Sequence, residues 1–408
     1  MADKMKSSFA ALAREQSLYP QEAPAKIRKS IKSLFIGVPK ENSIHESRVT
    51  LKPESVEVLV SNGHEVWVQK GAGKTANFSD NLYSEAGAKL VSSAEEVYKA
   101  NIILKVAPPT LDEISYMNQG ATLVSAFQSG RQTVEYIHAI NRKKITAIAY
   151  EFIEDKVGGL PLVRAMSEIA GSTAMLIAAE LLSNTSGGQG IILGGISGVP
   201  PTQVVILGAG TVSEYAARAC IGLGVDIKIF DDHIYKLRRI KHALGHQIHT
   251  STIDNTQLKE AVSKADVLIG AIRTENGKNK CVITEHMISS MKPGSIVLDV
   301  SIDQGGCIET SEPTTHKKPT FIKHDVIHYC VPNIASRVSR TASIAISNIF
   351  TPILRNIGDA GGVDDMIFKH EWFMNGVYAY RGSVCKEHLA RKFNVTFKDL
   401  KLLAAARI

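Results

Sequence analysis

The sequence predicts an α/β protein of two doubly wound domains, one inserted into the other. Three observations predict it: strand-like apolar runs alternate with helical patterns in two separate series, a long apolar helical segment stands at each joint between them, and 408 residues are too many for one ordinary core. Such alternation argues for parallel strands with helices on both faces.

The first series opens with a strand over 34–38, followed by Pro39-Lys40-Glu41 and a loop ending in Glu46-Ser47-Arg48. Pro53 begins a helix and Asn62-Gly63 ends it, the Pro-first and Gly-last asymmetry of helix termini. Further strands are expected over 64–69, 101–106, 121–125 and 144–149. An apolar helix over 167–184 then reads as an interdomain connector. After a loop rich in Gly and Pro (Gly194, Gly195, Gly198, Pro200, Pro201), the second series runs from 203 to 331, and a long helix over 339–357 leads into a short helical C-terminal stretch. The expected division is 1–33 as an N-terminal extension, 34–166 with 338–408 as one domain, and 167–337 as the inserted domain.

Composition narrows the class. Hydrophobic residues at 44% and charged residues at 21% are ordinary for a globular chain and argue against disorder. The net charge of +7 is spread rather than striped, and its densest cluster, Lys236, Arg238, Arg239 and Lys241, falls on a helix as a solvated face, so no nucleic-acid partner is expected. A mildly basic surface suits anionic substrates and nucleotide phosphates. Cys220, Cys281, Cys307, Cys330 and Cys385 are odd in number and lack the paired spacing of a zinc site, so no metal is expected and a reduced, cytoplasmic setting fits. No uninterrupted apolar run approaches the roughly 18 residues that span a bilayer, and 1–32 is polar rather than signal-like, so no membrane association is expected.

The strongest local signal is Val204-Val205-Ile206-Leu207-Gly208-Ala209-Gly210-Thr211-Val212-Ser213, a buried-type strand entering a Gly turn and a helix. Gly208 permits the tight turn and Gly210 lets backbone approach a pyrophosphate at the helix N-terminus, where Thr211 and Val212 begin. The third position of this Rossmann fingerprint is Ser213 instead of Gly. A second strand over 225–230 ends in Asp231, 23 residues after Gly208, where an acid takes the adenosine ribose hydroxyls and repels a 2′-phosphate. NAD is therefore expected rather than NADP. The competing role for Asp231 or Asp232 is a helix N-cap, and Lys236 in the next helix faces either cofactor or solvent. Strands over 265–270 and 295–300 complete the crevice edge; Asp299 lies at the end of the second and Asp303 just beyond it. Asp303, beside a Gly-Gly turn, would stand next to the nicotinamide as a candidate for proton transfer, or else form an Asx-turn.

With these residues the chain resembles the alanine dehydrogenases and the nucleotide-binding α-subunits of transhydrogenases, closest to the former. The resemblance runs from about Phe35 to Phe397. It rests on Gly37-Val38-Pro39-Lys40-Glu41, Glu46-Ser47-Arg48-Val49, Leu104-Lys105-Val106, Met166-Ser167-Glu168, Gly208-Ala209-Gly210-Thr211, Ser301-Ile302-Asp303-Gln304-Gly305-Gly306 and Val331-Pro332-Asn333. It implies hydride exchange between the α carbon of L-alanine and nicotinamide, giving pyruvate and ammonia through an imine, in a homo-oligomer that is a hexamer or dimer. Arg48 and Lys105 would hold the carboxylate and carbonyl of a small amino acid or 2-oxo acid, with Asp303 and Asn333 completing the site. Cofactor contacts are expected from Ser167, Gly208, Gly210, Thr211, Val212, Asp231, Lys236, Gly270, Ala271 and Asp303. The residues agree for two of them: Lys105 ends an apolar strand at its carboxyl edge, where its head would project into the cleft, and Arg48 lies in a loop suited to a bidentate grip on a carboxylate.

One position departs from the family. After the strand over 121–125 the family carries a histidine assigned acid/base work; the matching residue here is Gln128. An amide donates a hydrogen bond but moves no proton. Three consequences stay open: Asp303 alone handles the protons, the substrate is another small amino acid, or the chain senses NAD(H) with little catalysis. A transhydrogenase component would require a membrane partner. His45 is the nearest spare imidazole in sequence, with a surface loop as its default place.

Overall fold

The computed structural model describes residues 32–43, 45–273 and 281–405; the expected N-terminal extension lies almost wholly outside them. The first series forms β1 (Phe35–Val38), β2 (Glu65–Gln69), β3 (Lys89–Val91), β4 (Ile102–Leu104), β5 (Thr122–Ser125) and β6 (Thr146–Ala149). The second forms β7 (Gln203–Leu207), β8 (Asp226–Phe230), β9 (His249–Ser251), β10 (Val267–Gly270), β11 (Ile296–Asp299), β12 (Thr320–Lys323) and β13 (Val326–Tyr329). Two late strands, β14 (Val377–Tyr380) and β15 (Ser383–Val384), return to the first sheet.

The first sheet has the order β15-β14-β6-β5-β4-β1-β2-β3 and the second β12-β13-β11-β10-β7-β8-β9. Strands β1 to β6 are mutually parallel wherever they pair, and so are β7 to β11 and β13. β4, β5, β6, β10, β11 and β13 are buried at every residue, as strands covered on both faces must be, which is why they read as unbroken apolar runs. In both sheets the strand order reverses, at β1/β4 and at β7/β10. A crevice opens beyond the carboxyl ends of strands at such a switch point. The loops carrying Arg48 and Lys105 leave the first switch point, and Gly208 and Ala271 leave the second.

The structure corrects two expectations. The C-terminal stretch is not purely helical: β14 pairs antiparallel with β6, and β15 with β14, so the first sheet is mixed. The open edge of β6 takes up a strand whose four residues are all buried. The connector helix runs Pro161–Leu181 and so begins before 167, because Pro161 at its first turn is already set for helix.

By length and composition this connector could cross a membrane. Its apolarity has a packing cause here. Ala170, Ala174, Met175, Ile177 and Ala178 enter the core of the second sheet. At Gly171 the connector lies so close to the helix Thr211–Leu223 that a Cβ would sit 2.2 Å from the Val212 carbonyl oxygen. The small residue that lets helices meet behind the Gly turn thus stands on the connector. The long helix Ser339–Ala360 packs Ile346, Phe350, Ile353, Leu354 and Ile357 into the first sheet's core.

A methyl group at position 171 has no room that a side-chain rotation can create. Gly171→Ala should lower the free energy of unfolding by about 1–3 kcal/mol, the usual cost of overpacking, measured by urea denaturation. An unchanged midpoint would mean that the helices separate freely.

Candidate active site

The two switch points face one another across a cleft. A cavity of about 340 Å³ is lined on one side by Tyr150, Glu151, Met166 and Ser167 and on the other by Val212, Ala271, Asp303 and Asn333. It opens into a larger space of about 710 Å³ that Arg48, Gln128, Arg131, Glu151, Lys236, Arg273, Asp303 and Asn333 share. Among the predicted residues, Arg48, Gln128, Lys236, Ser167, Val212, Ala271, Asp303 and Asn333 are brought to this cleft.

Its wall is built on a buried carboxylate. Glu46 receives Arg48 Nη2 at 2.6 Å and Arg48 Nε at 2.7 Å, so the guanidinium grips this carboxylate in a bidentate fork. Burial alone would push the Glu46 carboxyl up; Arg48, helped by Asn333, holds it below the usual range. Arg48 Nη1 is left with the Met166 thioether at 3.2 Å. From the second sheet's side, Asn333 Nδ2 donates to Glu46 at 2.9 Å and to the His45 carbonyl at 3.2 Å. Asn333 is in the left-handed region at φ 61°, which Asn tolerates better than most residues. Its N–H donates to Asp303 at 3.2 Å.

Asp303 follows β11 in a short 3-10 turn, Val300–Gln304. Enclosure between the cleft walls pushes its carboxyl above the usual aspartate value, while the Asn333 N–H, Arg131 and Arg48 pull against that. The neighbouring Asp299 has a different task. It is buried and accepts Ser301 N–H, Ser301 Oγ–H and Cys307 N–H, which shapes the turn.

Lys105 does not project into the cleft as its strand-end position suggested. It is buried, with Nζ 2.9 Å from Glu41 and 3.5 Å from Glu113. Burial would lower its pKa, but the two carboxylates outweigh this and raise it. Glu41 is fixed in turn by the Val106 N–H at 2.7 Å, and its own carboxyl is pushed up by burial against the pull of Lys105.

On the nucleotide side, Gly208 has φ 93°, and a Cβ there would meet the Ala271 carbonyl oxygen at 2.5 Å, so only glycine lets the ends of β7 and β10 close up. Gly210 has open space where a Cβ would be and begins the helix Thr211–Leu223 with no side-chain cap. Open backbone at an uncapped helix start is what a pyrophosphate requires. Asp231 directly follows β8, at the strand end where it is expected. One carboxylate oxygen accepts the Ala209 N–H at 2.7 Å and the other the His233 N–H at 2.8 Å, leaving lone pairs for ribose hydroxyls. It is not the cap of the following helix, which starts after His233 without a side-chain cap. Gly270 is packed against Cys307 at the end of β10. The open glycine edge is of the kind that accepts a dinucleotide, and Gly208, Gly210, Thr211, Val212, Ser167 and Asp231 are the residues that could hold NAD.

Gln128 stands exposed at the cleft with φ 50°, in a turn closed by Arg131 N–H to its carbonyl at 2.8 Å. Sequence reasoning missed its anchor. Glu151 accepts the Phe127 N–H at 2.7 Å and the Gln128 N–H at 3.1 Å, both on Oε1. Oε2 is buried without a hydrogen-bond partner among the described residues. Burial pushes this carboxyl up, against its backbone donors and Arg273. The available signal was position: Glu151 follows β6 at the carboxyl edge, the same edge that exposed Lys105 and Asp303 to attention. No group of three or more potential metal ligands occurs among the described residues.

The family profile "Alanine dehydrogenase/PNT, N-terminal domain" matches residues 37–170, and "Alanine dehydrogenase/PNT, C-terminal domain" matches 174–387. The chain is 38% identical over 359 residues to an alanine dehydrogenase of Bacillus subtilis, covering 88% of this chain and 94% of that one. It is 37% identical over 372 residues to an alanine dehydrogenase of Mycolicibacterium smegmatis, covering 90% and 98%. Among solved structures, an L-alanine dehydrogenase superposes with a TM-score of 0.82 at 33% identity, covering 88% of this chain and 99% of that one. A transhydrogenase from Sinorhizobium meliloti shares the fold, with a TM-score of 0.74 at 24% identity over 86% of this chain and 99% of its own.

Removing the ammonium of Lys105 would strand Glu41 and Glu113 in the interior. Lys105→Ala should therefore cost about 3–5 kcal/mol of stability in addition to any loss of turnover, measured by urea denaturation. A full-stability variant would show that the two carboxylates simply take up protons.

Proposed function

The chain belongs to the alanine dehydrogenase/PNT family, and from that premise we propose that its cleft oxidises L-alanine to pyruvate and ammonium with reduction of NAD. It is an NAD-dependent oxidoreductase acting on the CH–NH2 group of its donor. The observation that carries the site assignment is the meeting, between two switch points, of a guanidinium, an amide and a carboxyl whose proton affinity is raised: Arg48, Asn333 and Asp303.

Bound NAD supplies the hydride acceptor. Arg48, clamped by Glu46, offers Nη1 to the substrate carboxylate, since among the described residues that nitrogen donates to a thioether alone. Lys105 polarises the carbonyl or imino end when it exchanges one of its carboxylate partners for substrate. Asn333 holds Asp303 and Glu46 in register and completes the substrate contacts. Asp303, its proton affinity raised by burial, takes a proton from the substrate ammonium as the general base. Gln128 contributes an amide donor. Ser167, Gly208, Gly210, Thr211, Val212, Asp231, Lys236, Gly270 and Ala271 hold the dinucleotide.

For the chain as a whole we propose a catalytic domain of 34–166 with 338–408 and an NAD-binding domain of 167–337, working in the cytoplasm as a homo-oligomer. Exposed Leu176, Ile192, Ile196 and Val199 offer apolar surface for contacts between copies.

Two measurements check the reading. In calorimetry NADH should bind about tenfold or more tighter than NADPH, because Asp231 meets the extra phosphate with like charge; equal affinities would remove Asp231 from the ribose. With a panel of L-amino acids at alkaline pH, NADH should form with L-alanine at the highest kcat/KM. Silence across the whole panel with NADH still bound would make the chain a sensor.

A further inference from the structure

An imidazole is absent at 128, yet amino-acid oxidation needs more proton transfers than one carboxyl beside the substrate conveniently serves. We propose that Glu151 carries the proton that Gln128 cannot, acting through Oε2 as the second acid/base group of the cleft. The inference rests on the dehydrogenase reading above and names a further residue of that site.

Three observations place it there. Glu151 forms wall in both the inner cavity and the wider cleft, as do Asp303 and Asn333. Its Oε1 is fixed by the N–H groups of Phe127 and Gln128, so the carboxyl is tied to the residue that stands in the histidine's place. Its Oε2 is shut off from bulk water and has no hydrogen-bond partner among the described residues, which leaves it with an unspent donor or acceptor. An unpaired buried polar atom keeps its desolvation cost and persists in a native structure for a reason.

The surroundings favour a carboxyl that changes state. Burial raises its proton affinity; Arg273, reaching from beyond β10, opposes this. Tyr136, Tyr150 and Tyr378 are the other titratable groups that feel Glu151, and burial pushes all three phenols up, so they remain neutral. Arg48, Arg131, Lys236 and Asp303 line the same space.

The substrate ammonium gives one proton to Asp303, which passes it to solvent, and C2 then loses a hydride to the oxidised cofactor, leaving an iminium. Water adds to C2; as the C–O bond forms, one water proton moves to the Glu151 carboxylate. The neutral carbinolamine receives that proton back on nitrogen from the Glu151 acid. The C–N bond breaks, the hydroxyl proton leaves with the nitrogen as ammonium, and pyruvate remains. Glu151 ends as it began, and one proton has been released overall.

The test uses Glu151→Gln, whose Oε1 can still accept both N–H groups, and the double variant Glu151→Gln with Gln128→His. Glu151→Gln should lower kcat for L-alanine by about 10²–10⁴-fold and remove the acid limb of the pH profile that the parent shows, with NADH affinity retained. The double variant should recover about tenfold or more, with a new limb near about 6–8. A threefold or smaller loss with an unchanged profile, or no recovery in the double variant, overturns the proposal.

A second readout needs neither substrate nor cofactor. A carboxyl whose folded pKa lies above the unfolded value gives stability that is present below the unfolded value and lost as pH rises through the folded one. Glu151→Gln should therefore melt above the parent at pH 8, with the gap closing toward the ordinary glutamate value of about 4.3. The opposite result, a variant that melts lower at pH 8, would mark Glu151 as a permanently ionised anchor of the loop and overturn the proposal. A parent inactive on every amino acid would fail the dehydrogenase reading itself, which is a different outcome from an active parent indifferent to Glu151.

Discussion

Glu46 lies buried between a guanidinium on its own loop and an amide carried by the last turn before the helix Ser339–Ala360, and the cleft depends on that carboxylate staying ionised there. A lone buried carboxylate would take up a proton; Arg48 and Asn333 keep it charged. The same two bonds aim Arg48 Nη1 and hold Asn333 where its N–H reaches Asp303. One charge thus ties the loop after β1 to the turn after β13, and two sheets with separate cores share a working surface.

Around this fixed pair the remaining charges are arranged in opposition. Among the described residues, Lys105 is paired with Glu41 and Glu113, whereas Glu151 keeps one oxygen unspent and Asp303 receives one N–H, from the backbone of Asn333. A carboxyl raised by burial and a guanidinium within the same space is the usual way a protein brings acid/base groups toward neutral pH. The Gly208 and Gly171 contacts act on the other half, since they set how closely the strand ends and the helices behind them approach one another.

Much of this was legible in the residues. The central strands read correctly because burial on both faces demands unbroken apolar runs, and Gly208, Gly210 and Asp231 stand at their strand ends because backbone geometry leaves few alternatives there. β14 was hidden: a four-residue antiparallel strand between helices offers too little periodicity, and its partner β6 lies more than two hundred residues earlier. Lys105 was placed in the right loop but pointed the wrong way, since Glu41 and Glu113 come from other segments and only the fold brings them together. Glu151 escaped notice for a similar reason. A single acid after a strand looks solvated until Phe127 and Gln128 are seen to donate to it.

The central claim is that this cleft transfers hydride from the α carbon of an amino acid. It is tested most directly by incubating the protein with NAD and L-alanine deuterated at C2 and determining the mass of the reduced cofactor. The account predicts reduced cofactor that carries the deuterium, formed more slowly than from unlabelled alanine. Reduced cofactor without deuterium, or tight NAD binding with no reduction at all, would contradict it.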